Sequence, residues 1–122
     1  IFEDWAVSFA HFNFDVHNIT GSGLDETGAQ KQFPQAAGYT IPYRCIVPVG
    51  IDGLLLAGRN ISGTHLAHSN YRVMPICANI GQASGTAGAL CASEGCLPRN
   101  LPVPVLQEVL LQHGVLDPHG GV

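Results

Sequence analysis

The chain has 122 residues, room for one domain of ordinary size. Hydrophobic residues make up 46% of it and charged residues 11%, against about 25% charged in an average soluble domain, which excludes a disordered or solvating tail. Five Lys and Arg against nine Asp and Glu give a net charge of −4 with no basic cluster, which excludes a binder of nucleic acid backbones, and no apolar run reaches the ~18–20 residues that cross a bilayer. So low a charge density is unusual for a small independent domain, whose surface is large for its volume. The first residue is Ile1, not Met, and no signal-peptide pattern follows it. Both features lead us to expect a piece of something larger.

In chain order, Ile1 to Val16 is rich in aromatics (Phe2, Trp5, Phe9, Phe12, Phe14) and reads as strand or helix. The stretch from Thr20 to Gly38 is rich in Gly, Ser, Gln and Ala and reads as loop. Tyr39 to Pro48 alternates and is β-rich, but its two prolines demote it to an edge or bulged strand. After a turn at Gly50-Ile51-Asp52-Gly53, the apolar run Leu54-Leu55-Leu56-Ala57 ends at Gly58; it is too short for a helix and suits a central strand buried on both faces. Residues 59–74 read as a long polar connection with two histidines, two arginines and no acid, and loops of that length without regular structure are usually functional. Pro75 then stands where a helix starts and Gly95 where one is capped, with Pro98 shortly after. Val103 to Gln112, with apolar Val105, Leu106, Val109 and Leu110, predicts a short amphipathic helix, and residues 117–122 read as a fraying tail.

Four cysteines, Cys45, Cys77, Cys91 and Cys96, contain no CxxC pair. Buried free thiols acting as small hydrophobes are expected, which favours a reducing, cytoplasmic setting. Asn18-Ile19-Thr20 matches a glycosylation sequon but carries no meaning without a secretory context.

Between Ile76 and Gly95, 14 of 20 residues are Gly, Ala, Ser, Thr or Cys, so a helix there has a face almost without bulk. Gly81, Gly85 and Gly88 fall within about 60° of one another on the wheel. Each interior glycine costs roughly 1 kcal/mol relative to alanine, and close backbone approach to a sheet or a ligand is the usual compensation. Two readings follow: a helix packed tightly on a sheet, or one that also aims the amides of its first turn, around Pro75 to Ala78, at an electron-rich ligand. A buried strand, a polar loop and such a helix is the order in which α/β proteins bind ligands beyond a strand's carboxyl end.

These segments resemble a family. Ile41-Pro42-Tyr43-Arg44-Cys45-Ile46-Val47-Pro48, Leu54-Leu55-Leu56-Ala57-Gly58-Arg59-Asn60-Ile61-Ser62, Ala67-His68-Ser69-Asn70-Tyr71-Arg72-Val73-Met74-Pro75 and Gly81-Gln82-Ala83-Ser84-Gly85-Thr86-Ala87 are similar, in order, to the C-terminal end of bacterial FAD-dependent oxidoreductases, with a more distant likeness to succinate dehydrogenase and fumarate reductase flavoproteins. Asp15-Val16-His17-Asn18 resembles the family's segment ahead of a variable loop. The resemblance implies an α/β fold: the C-terminal part of a Rossmann-like FAD-binding domain over 39–122, with 1–38 a segment of a substrate or cap region. It implies FAD as cofactor, with Gly58 and Arg59 lining the ribityl and flavin region and Met74, Ile76, Cys77 and Ala78 around the helix start beside the ring. It also implies a small-molecule substrate met by His68 and Arg72, the latter four residues ahead of Ile76.

The GxGxxG fingerprint of the dinucleotide half is absent, and the helical glycines have the wrong spacing to replace it. The adenosine half of FAD is therefore expected from the remainder of the flavoprotein, either an N-terminal portion or a second chain. Arg44, in an apolar strand-like setting, reads as a paired structural arginine. His65 and His68 form an HxxH with no neighbouring acid, which leaves loop histidines bonded to backbone, substrate contact at the flavin, or the less favoured metal-dependent hydrolase. A non-catalytic small subunit that completes a partner's flavin domain is the remaining alternative.

Overall fold

A computed structural model describes residues 4–17 and 38–115. In chain order these form strand β1 (Ala6–Ala10), strand β2 (Tyr39–Pro42), a 3-10 turn at Tyr43–Cys45, helix α1 (His65–Tyr71), helix α2 (Met74–Glu94), a 3-10 turn at Pro98–Asn100 and helix α3 (Val103–Gln112). The expected loop at 20–37, the sequon and the tail lie outside the described residues.

β1 and β2 pair antiparallel, Ser8 opposite Ile41 and Ala10 opposite Tyr39, with an irregularity between Ala6 and Ser8. Within the aromatic-rich start of the chain, Ala6–Ala10 is thus a strand. The edge-strand reading of 39–48 holds only as far as Pro42, which has no amide for a ladder, and the chain coils there into the 3-10 turn. β1 is small and buried, with Ala6 and Ser8 at 0% exposure, because α2 and α3 both pack against it. Gln107 of α3 fastens this layer: its Nε2 donates to the carbonyls of Asp4 (2.9 Å) and Ala6 (2.8 Å).

α2 begins two residues before the expected Ile76, has Pro75 in its first turn, and ends at Gly95 in the left-handed region (φ 63°). Its buried positions are Ile76, Ile80, Ala83, Ser84, Ala87 and Cys91. The expected packing by the glycine stripe is therefore corrected. Alanines make the close approach, while a Cβ added at Gly81 or Gly85 would meet nothing within 4 Å, and one at Gly88 would touch only Leu55 at 3.8 Å. α3 has the predicted bounds, with Leu106 and Leu110 fully buried.

Two further expectations change. Leu54–Ala57 is not a central strand here, since no neighbouring strand among the described residues offers an edge to it. The segment instead runs along α2, with the Leu56 amide donating to the Ile46 carbonyl (2.8 Å) and Ser84 Oγ donating to the Leu56 carbonyl (2.6 Å); Leu54 stays 43% exposed. The connection 59–74 is not structureless, because Thr64 caps α1 by accepting the Ala67 amide on its hydroxyl (3.1 Å). The loop before that helix fits closely over Tyr71: a Cβ at Gly63 would lie 1.8 Å from the phenol oxygen, which donates to the Ser62 carbonyl (3.1 Å).

Each of the three tyrosines donates to a backbone carbonyl: Tyr39 to Asn70, Tyr43 to Pro98 (2.9 Å) and Tyr71 to Ser62. Burial pushes all three phenols up to about 12, against about 10 in an unfolded chain. Between those values the folded chain holds protons that the unfolded chain has lost, so stability is intact below about pH 10 and falls as pH rises toward 12. Urea unfolding at about pH 8 and about pH 11, with phenolate absorbance, should show lower stability at the higher pH and phenolate appearing only on unfolding. Tyrosines that ionise near 10 in a still-folded chain would contradict this.

Candidate functional site

Two features meet at the N-terminal end of α2. The first is the corner made by residues 56–61. Gly58 is buried with φ 101°, a left-handed conformation costly for any other residue, and a Cβ there would come 3.9 Å from that of Cys77. The Ile61 amide closes the turn on the Gly58 carbonyl (3.4 Å). Arg59 is exposed and has no ion-pair partner among the described residues.

Opposite Gly58, the first turn of α2 has no side-chain cap and no acidic residue. Pro75 lacks an amide and the Cys77 amide is bonded to the Val73 carbonyl (3.0 Å), so the amides of Met74 and Ile76 are the ones left without an intrahelical acceptor. The expected site residues sit differently around this start. Met74 is 86% exposed and Ala78 is exposed, whereas the Ile76 side chain is in the core at 5%, leaving only its amide to face outward. Cys77 is half-buried, its thiol directed at the Tyr71 carbonyl (3.7 Å). The donors here are two backbone amides and one guanidinium, with no carboxylate among the corner residues 56–61 or in the helix's first turn. That set fits an electron-rich ligand edge.

The second feature is a cleft of about 450 Å³ lined by Asp15, Val16, His17, His65, His68, Ser69 and Arg72. α1 carries the two expected histidines one turn apart. His68 also lies against the Tyr71 ring, centroids 4.8 Å apart. Arg72 is not the unpaired cation that the acid-free run 59–74 suggested: its Nη2 bonds to Asp15 Oδ2 (2.7 Å) and donates to the Asp15 carbonyl (3.2 Å). Asp15 Oδ1 is also 2.8 Å from His17 Nε2, and the Asp15 amide donates to the Ser69 carbonyl (3.3 Å). Asp15 and His17 are the residues sequence reasoning passed over. Their signal was the Asp-x-His spacing, which in an extended run puts both side chains on one side.

With Asp15 and Arg72 paired to each other, the imidazoles of His17, His65 and His68 are the remaining ring nitrogens that line the cleft. Among the described residues no three of His, Cys, Asp and Glu are arranged to hold a metal ion. Arg72 and Asp15 are both partly exposed (40% and 37%), so a double-mutant cycle on Asp15→Asn and Arg72→Ala should give a coupling of about 0.2–1 kcal/mol in unfolding free energy. Strict additivity would show that the pair does not hold residues 15–17 against α1.

The family model described as FAD dependent oxidoreductase matches residues 1–110. No curated protein and no solved structure gives a significant match. The match spans β1 to the last turn of α3 and includes the Gly58 corner, the start of α2 and the histidine cleft. The chain belongs to the FAD-dependent oxidoreductases, the flavoprotein enzymes whose cofactor is FAD.

Proposed function

We propose that residues 39–122 are the C-terminal part of a Rossmann-like FAD-binding domain of the bacterial type, and that they form the wall of the cofactor site beside the isoalloxazine. The observation that carries this reading is the meeting of Gly58 with the uncapped, acid-free start of α2. FAD, when bound, supplies two-electron transfer. In this reading the amides of Met74 and Ile76 face its pyrimidine edge, Gly58 and Arg59 line the ribityl side, and Cys77 and Ala78 complete the helix start. Fixed donors of this kind favour the negative charge that accompanies reduction.

Residues 1–38 then belong to the substrate or cap region. Asp15 holds Arg72 and His17 at the cleft mouth, where Arg72 and His68 meet a small-molecule substrate. A charged guanidinium there orients an anionic group, as the distant likeness to fumarate reductase flavoproteins implies, and His68 holds or moves a proton. The remainder of the flavoprotein, in the same polypeptide or a partner, supplies the adenosine half of the site. The open face of α2 at Gly81 and Gly85 and the half-exposed Leu54–Leu56 segment are surfaces onto which that remainder packs.

Ala78→Asp places a carboxylate beside the α2 amides without touching the core. Helix-end charge effects run from roughly 0.3 to about 2 kcal/mol, and about 30 mV corresponds to 1.4 kcal/mol for a two-electron couple. The FAD midpoint potential of the complete protein should therefore fall by tens of millivolts. A variant that binds FAD with an unchanged potential would place the flavin elsewhere.

A further inference from the structure

The C-terminal end of α2 doubles back on itself. With Gly95 left-handed, the amides of Gly95 and Cys96 both donate to the Cys91 carbonyl, the latter at 3.0 Å. That closure brings the side chains of the two flanking residues together across the helix end, and here both are cysteines. The 3.0 Å backbone bond between the two residues holds them at the short separation that a disulfide requires. Cys96 packs against the buried cluster that contains Cys91 and Tyr43, and the Tyr43 hydroxyl is anchored on the Pro98 carbonyl (2.9 Å). None of the four cysteines is in a disulfide in this structure.

We propose that Cys91 and Cys96 are a dithiol that a small disulfide, such as glutathione disulfide, converts to an intrachain disulfide. The two sulfurs have different parts. Cys96 is half-buried and within reach of solvent, whereas Cys91 is 7% exposed, and burial holds its thiol pKa above the ordinary value. The Cys96 thiolate attacks one sulfur of the reagent, forming a mixed disulfide and releasing one glutathione thiolate. The Cys91 sulfur then gives up its proton and attacks the Cys96 sulfur, expelling the second glutathione. The chain loses two protons and two electrons, and the reagent becomes two thiols. The bond ties the end of α2 to the turn that leads toward α3.

The test is alkylation mapping of the purified protein after incubation with glutathione disulfide. Trypsin leaves Cys77, Cys91 and Cys96 together in peptide 73–99, so Cys77 serves as the internal control. The expected product has lost two hydrogens, carries no glutathione, and is blocked to alkylation at Cys91 and Cys96 until dithiothreitol is added. Its Tm should rise by about 5 °C. In Cys91→Ala the glutathione adduct should persist on Cys96, and in Cys96→Ser no link should form. Should Cys91→Ala fail to fold, the wild-type map and Cys96→Ser decide the matter. A wild-type protein that keeps glutathione on Cys96, or leaves both thiols open to alkylation, overturns the proposal.

Discussion

Everything in this chain that bears on function depends on how closely α2 is seated. The middle of its inner face uses residues scarcely larger than the backbone, with Ala83 and Ala87 at 0% exposure. That lets the helix lie on β1 and lets Ser84 reach the Leu56 carbonyl at 2.6 Å. A bulkier residue at 84 or 87 would lift the helix from segment 54–58. Gly58 would then move away from Cys77, and the corner at the helix start would open. The seat of the helix and the geometry of the site are one constraint, because the hydrogen bond and the Gly58 contact lie on the same segment only a few residues apart.

The same helix carries different roles at its two ends. At its start there is no cap, no acid and a proline that removes one amide, so the donors face outward unsatisfied. At its finish the carbonyls are satisfied internally by the left-handed Gly95 closure. A helix end left without partners is costly, and an electron-rich ligand is one way to meet that cost. The neighbouring cleft follows a different logic. There the carboxylate of Asp15 offsets Arg72, and three histidines line the rest of the cleft. The polar part of the chain thus divides into a donor-rich corner without acids and a histidine cleft with one acid shared between Arg72 and His17.

What the sequence made legible was the punctuation. Pro75, Gly95 and the apolar spacing of Leu106 and Leu110 locate α2 and α3, because proline, left-handed glycine and helical periodicity act locally. α1 stayed hidden since Thr64 is a weak start signal before a short, polar segment with no acidic residue in its first turn. The glycine stripe misled because propensity tells that glycine needs a reason, not which face is covered, and here alanines one step around the wheel take the core. Leu54–Ala57 reads as a strand by composition, yet a strand exists only with a neighbour. The pairing of Asp15 with Arg72 and Ser69 was not legible, because those partners lie more than fifty residues away and the local Asp-x-His spacing points only to His17.

The central claim is that the Gly58 corner and the first turn of α2 contact the flavin. Amide hydrogen exchange of the complete protein, with and without FAD, tests it most directly. Protection should appear on FAD binding at Gly58 and Arg59 and at Met74 and Ile76, the amides left without an intrahelical acceptor, while the core of α3 around Leu106 exchanges as before. FAD binding that protects other segments and leaves these amides unchanged would contradict the assignment.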